Sequence, residues 1–301
     1  MNKILISGGS GLVGKHLTTK LIEKGYQVAW LSRNPSKNPQ VKIFQWDVAQ
    51  GTIDAQALDF ADAIVHLAGA GIADKPWSKK RKQEIVDSRV KSTELIVEHL
   101  KKHNKSPKVM VAASAIGYYG AVNSSKVFVE TDPPASDFLG TTTQQWEKST
   151  HAFRELGIPT IQFRFGVVLS KEGGALNKMA LPVKFGLGAP VGSGKQIVPW
   201  IHIDDLCEMI IMAIEQQLID GIYNAVAPGQ DSNSAFMKTL AKVMNKPYFL
   251  PAVPGFLLKI SMGEMADMVL KGSAISAQKI QNAGYTFQFT ELKLALKNLL
   301  S

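Results

Sequence analysis

Short apolar runs alternate along this chain with longer stretches in which apolar residues recur every three or four positions. Lys3-Ile4-Leu5-Ile6-Ser7 is the first run, followed by Gln27–Ser32, Val41–Gln45, Ala63–His66, Lys108–Ala113 and Thr160–Arg164. Between them the spacing predicts helices over Leu12–Lys24, Lys79–Lys102 and Gln144–Leu156. The runs lack the polar alternation of a half-exposed sheet, so both of their faces must be covered. Strand–helix alternation of this kind predicts a parallel sheet between two helical layers: an α/β, Rossmann-like, doubly wound fold.

After Leu169 the texture changes. Gly173-Gly174, Gly186-Leu187-Gly188 and Gly192-Ser193-Gly194 punctuate a loop-rich stretch that runs to Pro199. A helix returns over Asp204–Gln217 and a strand over Gly221–Val226. From Ser232 onward the pattern is mainly helical, broken by Pro247, Pro251 and Pro254. The expected division is a Rossmann domain over residues 1–168 with about 200–226, and a smaller, mainly helical C-terminal lobe over 169–199 and 227–301.

Composition changes this picture little. The chain has 301 residues, 45% apolar and 20% charged, ordinary for a soluble globular protein. A formal charge of +9 favours anionic ligands. No nucleic-acid reader motif accompanies it and the basic residues are scattered, so nucleic acid is not an expected partner. The one dense run, Lys79-Lys80-Arg81-Lys82, reads as a solvated helix face. Cys207 is the only cysteine and sits in an apolar helical stretch, as a core residue would. A single thiol forms no internal disulfide, the first strand begins by Ile4, and no apolar run is long enough to span a bilayer. The expected compartment is the cytoplasm, with no membrane partner.

The most specific signal is Gly8-Gly9-Ser10-Gly11-Leu12-Val13-Gly14, between the first strand and the first periodic helix. Gly8, Gly11 and Gly14 permit, in turn, a tight turn, close approach of backbone to a pyrophosphate, and packing of helix on sheet. The amides of Ser10, Gly11, Leu12 and Val13 would face the negative charge. The second strand ends at Ser32-Arg33 rather than at an acidic residue. A hydroxyl and a guanidinium suit the extra phosphate of NADP(H), although Arg33 is equally readable as a surface charge. Asp47, after the third strand, is placed to accept from an adenine amino group. Leu67, Ala68 and Gly69 would let backbone lie along the cofactor.

Together these residues resemble the extended short-chain dehydrogenase/reductase superfamily, and more closely its nucleoside-diphosphate-sugar epimerase-like branch. The resemblance is carried by Asp87-Ser88-Arg89, Ser114-Ala115-Ile116-Gly117-Tyr118-Tyr119-Gly120 and Trp146-Glu147. It continues through Phe185–Gly188, the run from Gly192 to Asp205, and Gly263-Glu264-Met265-Ala266 in a C-terminal segment typical of that branch. It spans essentially the whole chain.

Catalytic members of the superfamily use a tyrosine with a lysine four residues later and a serine or threonine hydroxyl. None of the six tyrosines here has such a lysine; counting back from Glu147, the pair should fall at Leu139 and Thr143. Ser114 lies at the hydroxyl position or, if Ala115 does, one residue before it. Tyr118 and Tyr119 are the substitute proton donors, or else one packs in the core while the other lines the cleft. The resemblance places Arg89 near the nicotinamide ribose, with Glu84 one to two turns earlier. Arg89 is read as a cofactor contact, with a salt-bridged helix residue as the alternative. His202 reads as a capping residue, and His66 as a core histidine bonded to backbone. Sugar-nucleotide relatives carry an arginine where this chain has Val198, which argues against a nucleotide-sugar substrate. Trp146 and Trp200 would enclose a partly apolar cleft or else pack in the core.

Two readings follow. One is an NADP(H)-dependent oxidoreductase of the epimerase/dehydratase type acting on a small carbonyl or alcohol without the usual pair. The other is a non-catalytic NADPH-binding sensor that reports to a protein partner.

Overall fold

The computed structural model describes residues 1–34, 41–216 and 220–300. Seven strands form a parallel sheet: β1 (Lys3–Ser7), β2 (Gln27–Ser32), β3 (Lys42–Asp47), β5 (Ala63–His66), β6 (Val109–Ala115), β7 (Thr160–Phe165) and β11 (Gly221–Ala225). A two-residue β4 (Thr52–Ile53) adds antiparallel to β3. The order is β4-β3-β2-β1-β5-β6-β7-β11, so the chain reverses direction across the sheet between β1 and β5. In a sheet wound this way the crevice outside the carboxyl ends of those two strands is the natural ligand site.

The strands are buried because both faces are covered. In β1, Ile4 and Ile6 join a core with Leu17 and Leu21 of α1 (Leu12–Glu23) and Ile210 of α6 (Ile203–Glu215). Leu5 points the other way, into a core with Ile96 and Leu100 of α3 (Lys79–Lys102) and Phe153 of α4 (Phe138–Glu155). Alternate residues of one strand therefore serve two hydrophobic layers, which removes the polar alternation from the sequence. A short helix, α2 (Ala55–Phe60), leads into β5.

The predicted strands are all present, with shifts of up to two residues at their ends. Helix α4 starts at Phe138, six residues before its predicted start. Asp137 caps it, accepting from Gly140 N, and the Thr141 and Thr143 hydroxyls bond back to helix carbonyls. The end at Gln217 of the helix predicted over Asp204–Gln217 lies outside the described residues. The stretch expected to be loops contains structure instead. Strands β8 (Val167–Ser170), β9 (Gly173–Gly174) and β10 (Trp200–His202) form a separate small sheet, and α5 (Ala175–Lys184) is a helix despite Pro182 near its end. After β11 come α7 (Asn233–Val243), α8 (Gly255–Met262), α9 (Asp267–Leu270), α10 (Gln278–Asn282) and α11 (Leu292–Leu300). Among the described residues no helix is long and apolar enough to cross a membrane.

Candidate functional site

The crevice is built by close backbone packing. Gly8 turns with φ +75°, and a Cβ there would lie 2.8 Å from the Leu67 carbonyl carbon and 2.9 Å from Ala68 N. A Cβ at Gly14 would meet the Gly8 carbonyl oxygen at 2.4 Å. Only glycine lets the turn after β1, the start of α1 and the turn after β5 close on one another. The helix that results has Gly11 at its N-cap, no side chain capping it and no acidic residue in its first turn. Helices α2, α3, α4, α6 and α7, by contrast, are capped by Asp54, Ser78, Asp137, His202 and Ser232. The first-turn amides of α1 thus remain available to an anion.

At the end of β2, the Ser32 hydroxyl donates to the Asn34 carbonyl and accepts from the Asn34 amide. Arg33 is exposed and forms no ion pair among the described residues. Asp47 accepts the amides of Ala49 and Gln50 through Oδ1, shaping its own turn and leaving Oδ2 without a partner among the described residues.

Behind the crevice His66 ends β5. Ser7 Oγ lies 2.5 Å from its Nδ1, and the Ser92 and Thr93 hydroxyls of α3 lie 3.2 Å from its Nε2. Side-chain hydroxyls, rather than the backbone expected from sequence, satisfy this ring. Full burial pushes its pKa down to about 4, so it is neutral at physiological pH.

The Asp87-Ser88-Arg89 motif now has a local meaning. Asp87 accepts from Gln83 and Lys91 on its own helix. Ser88 Oγ accepts the Ala70 amide at 3.0 Å, and Arg89 Nη1 donates to the Ala70 carbonyl at 3.1 Å. The two side chains hold both polar groups of Ala70 in the loop after β5. Among the described residues Arg89 has no carboxylate partner, so the salt-bridged alternative fails. Glu84 is exposed and paired with Arg81 at 2.8 Å, its carboxyl held low by that bond. Arg81 is buried and donates to the Gly71 carbonyl. Lys82 reaches Glu264 in the Gly263–Ala266 turn. The basic run is therefore not the solvated face expected from sequence, because half of it anchors other segments.

The region where the family resemblance would place the proton-transfer groups is closed. Leu139 and Thr143 of α4 face Gly117 in the 3₁₀ turn after β6, where a Cβ would lie 3.4 Å from Leu139 Cβ and 3.5 Å from Thr143 Oγ1. Thr143 donates its hydroxyl to the Leu139 carbonyl. One turn on, Glu147 receives Arg164 Nε at 2.7 Å and Nη2 at 2.8 Å, and Ser114 Oγ donates to it at 2.6 Å. Arg164 Nη1 donates to the Tyr119 hydroxyl at 2.8 Å, and that hydroxyl donates to Asn224 Oδ1 at 2.8 Å. Glu147, Arg164, Ser114 and Tyr119 are 4%, 1%, 2% and 3% exposed, so the network is sealed from water. Burial works against the Arg164 charge, but the Glu147 carboxylate outweighs it and the pKa rises. Burial pushes Tyr119 up to about 12, against the pull of Arg164.

This geometry corrects two of the three catalytic expectations. Ser114 and Tyr119 are committed to a buried network and do not present free hydroxyls to a cleft. Tyr118 differs. Its ring lies under the Arg164 guanidinium at 3.5 Å, and its hydroxyl has no hydrogen-bond partner among the described residues. Trp200 is fully buried and donates its Nε1 to Asp231, so it is core rather than cleft wall. His202 caps α6 by accepting the Asp204 amide and stacks on Phe289 at 3.8 Å, the capping role expected of it. The Glu147–Arg164 pair was missed as a unit. Its one signal in sequence is an arginine inside the otherwise buried strand Thr160–Phe165. Among the described residues no group of acidic, histidine or cysteine side chains could hold a metal ion.

Comparison with known proteins agrees with this architecture. Residues 4–225 match the NAD dependent epimerase/dehydratase family, and residues 253–299 match a domain of unknown function, DUF1731. The chain is 37% identical to the epimerase family protein YfhF of Bacillus subtilis, over 99% of this chain and 98% of that protein. The crystal structure of human epimerase family protein SDR39U1 with NADPH superposes with a TM-score of 0.87 at 31% identity, covering 98% of each chain. A UDP-glucuronic acid 4-epimerase from Bacillus cereus, solved with UDP-glucuronic acid and NAD, shares the fold at a TM-score of 0.79 and 21% identity, covering 99% of this chain and 97% of that one. Glycine loop, sheet order and C-terminal segment thus converge, and the chain belongs to the NAD dependent epimerase/dehydratase family.

Proposed function

We propose that this protein binds NADP(H) in the crevice between β1 and β5 and acts as an oxidoreductase of the epimerase/dehydratase type on a small carbonyl or alcohol. The observation that carries the proposal is the start of α1, held by Gly8 and Gly14 against Leu67–Ala68, uncapped and free of acidic residues. A dinucleotide pyrophosphate fits it: its charge meets the helix dipole and the first-turn amides of residues 12–14. Arg33, exposed and without an acidic partner among the described residues, together with Ser32 suits a ribose phosphate better than a ribose diol. The NADPH in the human SDR39U1 crystal structure supports the same choice. When bound, the nicotinamide supplies two-electron chemistry at one carbon.

The chain's own residues bind and orient. Gly8, Gly11, Leu12, Val13 and Gly14 receive the pyrophosphate, Ser32 and Arg33 the phosphate, Asp47 Oδ2 the adenine amino group, and Leu67–Gly69 the adjoining backbone edge. Tyr118 is the residue proposed to move a proton, at its unpartnered phenolic oxygen. Small-molecule turnover in a reducing cytoplasm suits a chain whose only cysteine, Cys207, is buried in α6.

The cofactor choice is tested with Arg33→Ala. Loss of a charge-assisted hydrogen bond should weaken NADPH binding relative to NADH by about 1.5–3 kcal/mol. Equal weakening of both would remove Arg33 from phosphate recognition. A second reading, a non-catalytic NADPH sensor with a protein partner, is favoured by the sealed Glu147–Arg164 network where a proton relay would stand. NADPH deuterated on the nicotinamide and incubated with the protein and a metabolite extract separates the two. Protein-dependent deuterium in a metabolite establishes turnover, and bound NADPH with no transfer supports the sensor.

A further inference from the structure

Arg89 stands on α3 with its guanidinium 4.9 Å from the centre of the Trp146 ring. It presses against Gly69 in the loop after β5, where a Cβ would lie 3.3 Å from its Cζ. A guanidinium carries five N–H groups. Nη1 uses its two on the carbonyls of Ala70 at 3.1 Å and Ile85 at 2.9 Å. The other three, one on Nε and two on Nη2, meet no acceptor among the described residues, yet neither atom is sealed in the interior.

Among the described residues no carboxylate lies within ion-pair distance, and the acidic neighbours on the same helix are already taken. Glu84 pairs with Arg81 at 2.8 Å, and Asp87 with Lys91 at 2.8 Å. Burial, and then the second cation Arg81, pull the Arg89 pKa down to about 10. Beside this cation Trp146 Nε1 is buried without an acceptor, as is Thr142 Oγ1 one turn earlier on α4. Among the described residues, the Nε and Nη2 N–H groups of Arg89 and the Nε1–H of Trp146 thus find no acceptor. A cation in such a setting is costly unless something supplies the counter-charge.

We infer that the Nε/Nη2 edge of Arg89, resting on Trp146, is a binding site for a ligand oxyanion, a carboxylate or a phosphate. That edge is the side-on fork of the guanidinium, whose two parallel N–H groups match two oxygens of one anion. Nη1 meanwhile holds the loop, so the residue couples loop position to anion recognition. Gly69 places the fork beside the crevice, so the anion is either a phosphate of the dinucleotide or an acidic group of the substrate. Only the choice between those sources rests on the proposed function.

The test is calorimetric titration of the full-length protein with NADPH, then with inorganic phosphate in the presence and absence of saturating NADPH. Wild type is compared with Arg89→Gln, Arg89→Lys and Ser88→Ala, each checked for its unfolding temperature. Arg89→Gln should lose anion affinity by about tenfold or more. Arg89→Lys should fall between, because a point charge lacks the fork. Ser88→Ala loosens the same loop while keeping the guanidinium, and should weaken anion binding less than Arg89→Gln does. If the phosphate response survives saturating NADPH and Arg89→Gln abolishes it with NADPH affinity unchanged, the anion belongs to the substrate. If phosphate competes with NADPH and Arg89→Gln weakens NADPH itself, it belongs to the dinucleotide. A wild type that ignores NADPH but keeps an Arg89-dependent phosphate response would refute the cofactor reading and leave this site standing. An Arg89→Gln protein as stable as wild type and equal to it toward both probes overturns the inference. If Arg89→Gln does not fold, Arg89→Lys takes its place in that comparison.

Discussion

Arg164 and Arg89 both leave water for the region around the carboxyl edge of the sheet, but the protein treats them differently. Every nitrogen of Arg164 is answered from within the chain: Nε and Nη2 by Glu147, Nη1 by the Tyr119 hydroxyl and the Glu130 carbonyl. Arg89 is answered on one nitrogen, by two carbonyls, and its fork is left open. The first arrangement is a buried ion pair with four of its five N–H groups bonded within the chain and its charge met by Glu147. The second is incomplete by one anion. Satisfaction of polar groups, rather than their mere presence, separates the structural side of this region from the side proposed to bind.

Breaking the closed side should have the largest effect. Glu147→Ala leaves a fully buried guanidinium without its carboxylate and is expected to cost about 3–5 kcal/mol in denaturant unfolding. A loss below about 1 kcal/mol would mean that water reaches Arg164, and the sealed network would be wrong.

Acid titration probes the crevice side. His66 links Ser7 of β1 to Ser92 and Thr93 of α3. Burial holds its folded pKa near 4 against an ordinary 6.5, so the unfolded chain takes up the proton first as pH falls. Its contribution is fully present above about pH 6.5 and is lost as pH falls through 4, about 3 kcal/mol in all. His66→Asn should flatten the stability–pH curve across that window. A curve of unchanged slope would show that the ring is not held neutral.

The two adjacent tyrosines sharpen the boundary. Tyr119→Phe leaves Asn224 Oδ1 and one N–H of Arg164 unpaired and should cost about 1–3 kcal/mol. Tyr118→Phe removes a hydroxyl with no partner and should change stability by less than about 0.5 kcal/mol. If turnover is found, Tyr118→Phe should reduce it far beyond any change in stability. Unchanged turnover would remove Tyr118 as the proton donor.

Sequence and structure agree best where local chemistry decides the outcome. The glycine spacing, the fully apolar strands and the 24-residue helix Lys79–Lys102 could all be read from neighbours in the chain, because turn geometry and periodicity are local properties. Helix α4 was read six residues short because its first turns are rich in threonine, whose hydroxyls bond to helix carbonyls only once the helix exists. Helix α5 was hidden by the glycines before it and by Pro182 within it.

The site divides the same way. Sequence alone determined the doubly wound α/β fold, the place of the crevice and the absence of a tyrosine–lysine pair, since each depends on residue type at a fixed spacing. It could not decide which polar side chains were free to act. Ser114 and Glu147 are 33 residues apart, Tyr119 and Asn224 are 105 apart, and their bonds exist only after β6, β7 and β11 pair and α4 packs over them. Whether a buried hydroxyl or guanidinium is answered by the protein or left for a ligand depends on neighbours distant in sequence. The tertiary structure decided that, closing Ser114 and Tyr119 into the core and leaving Arg89 open.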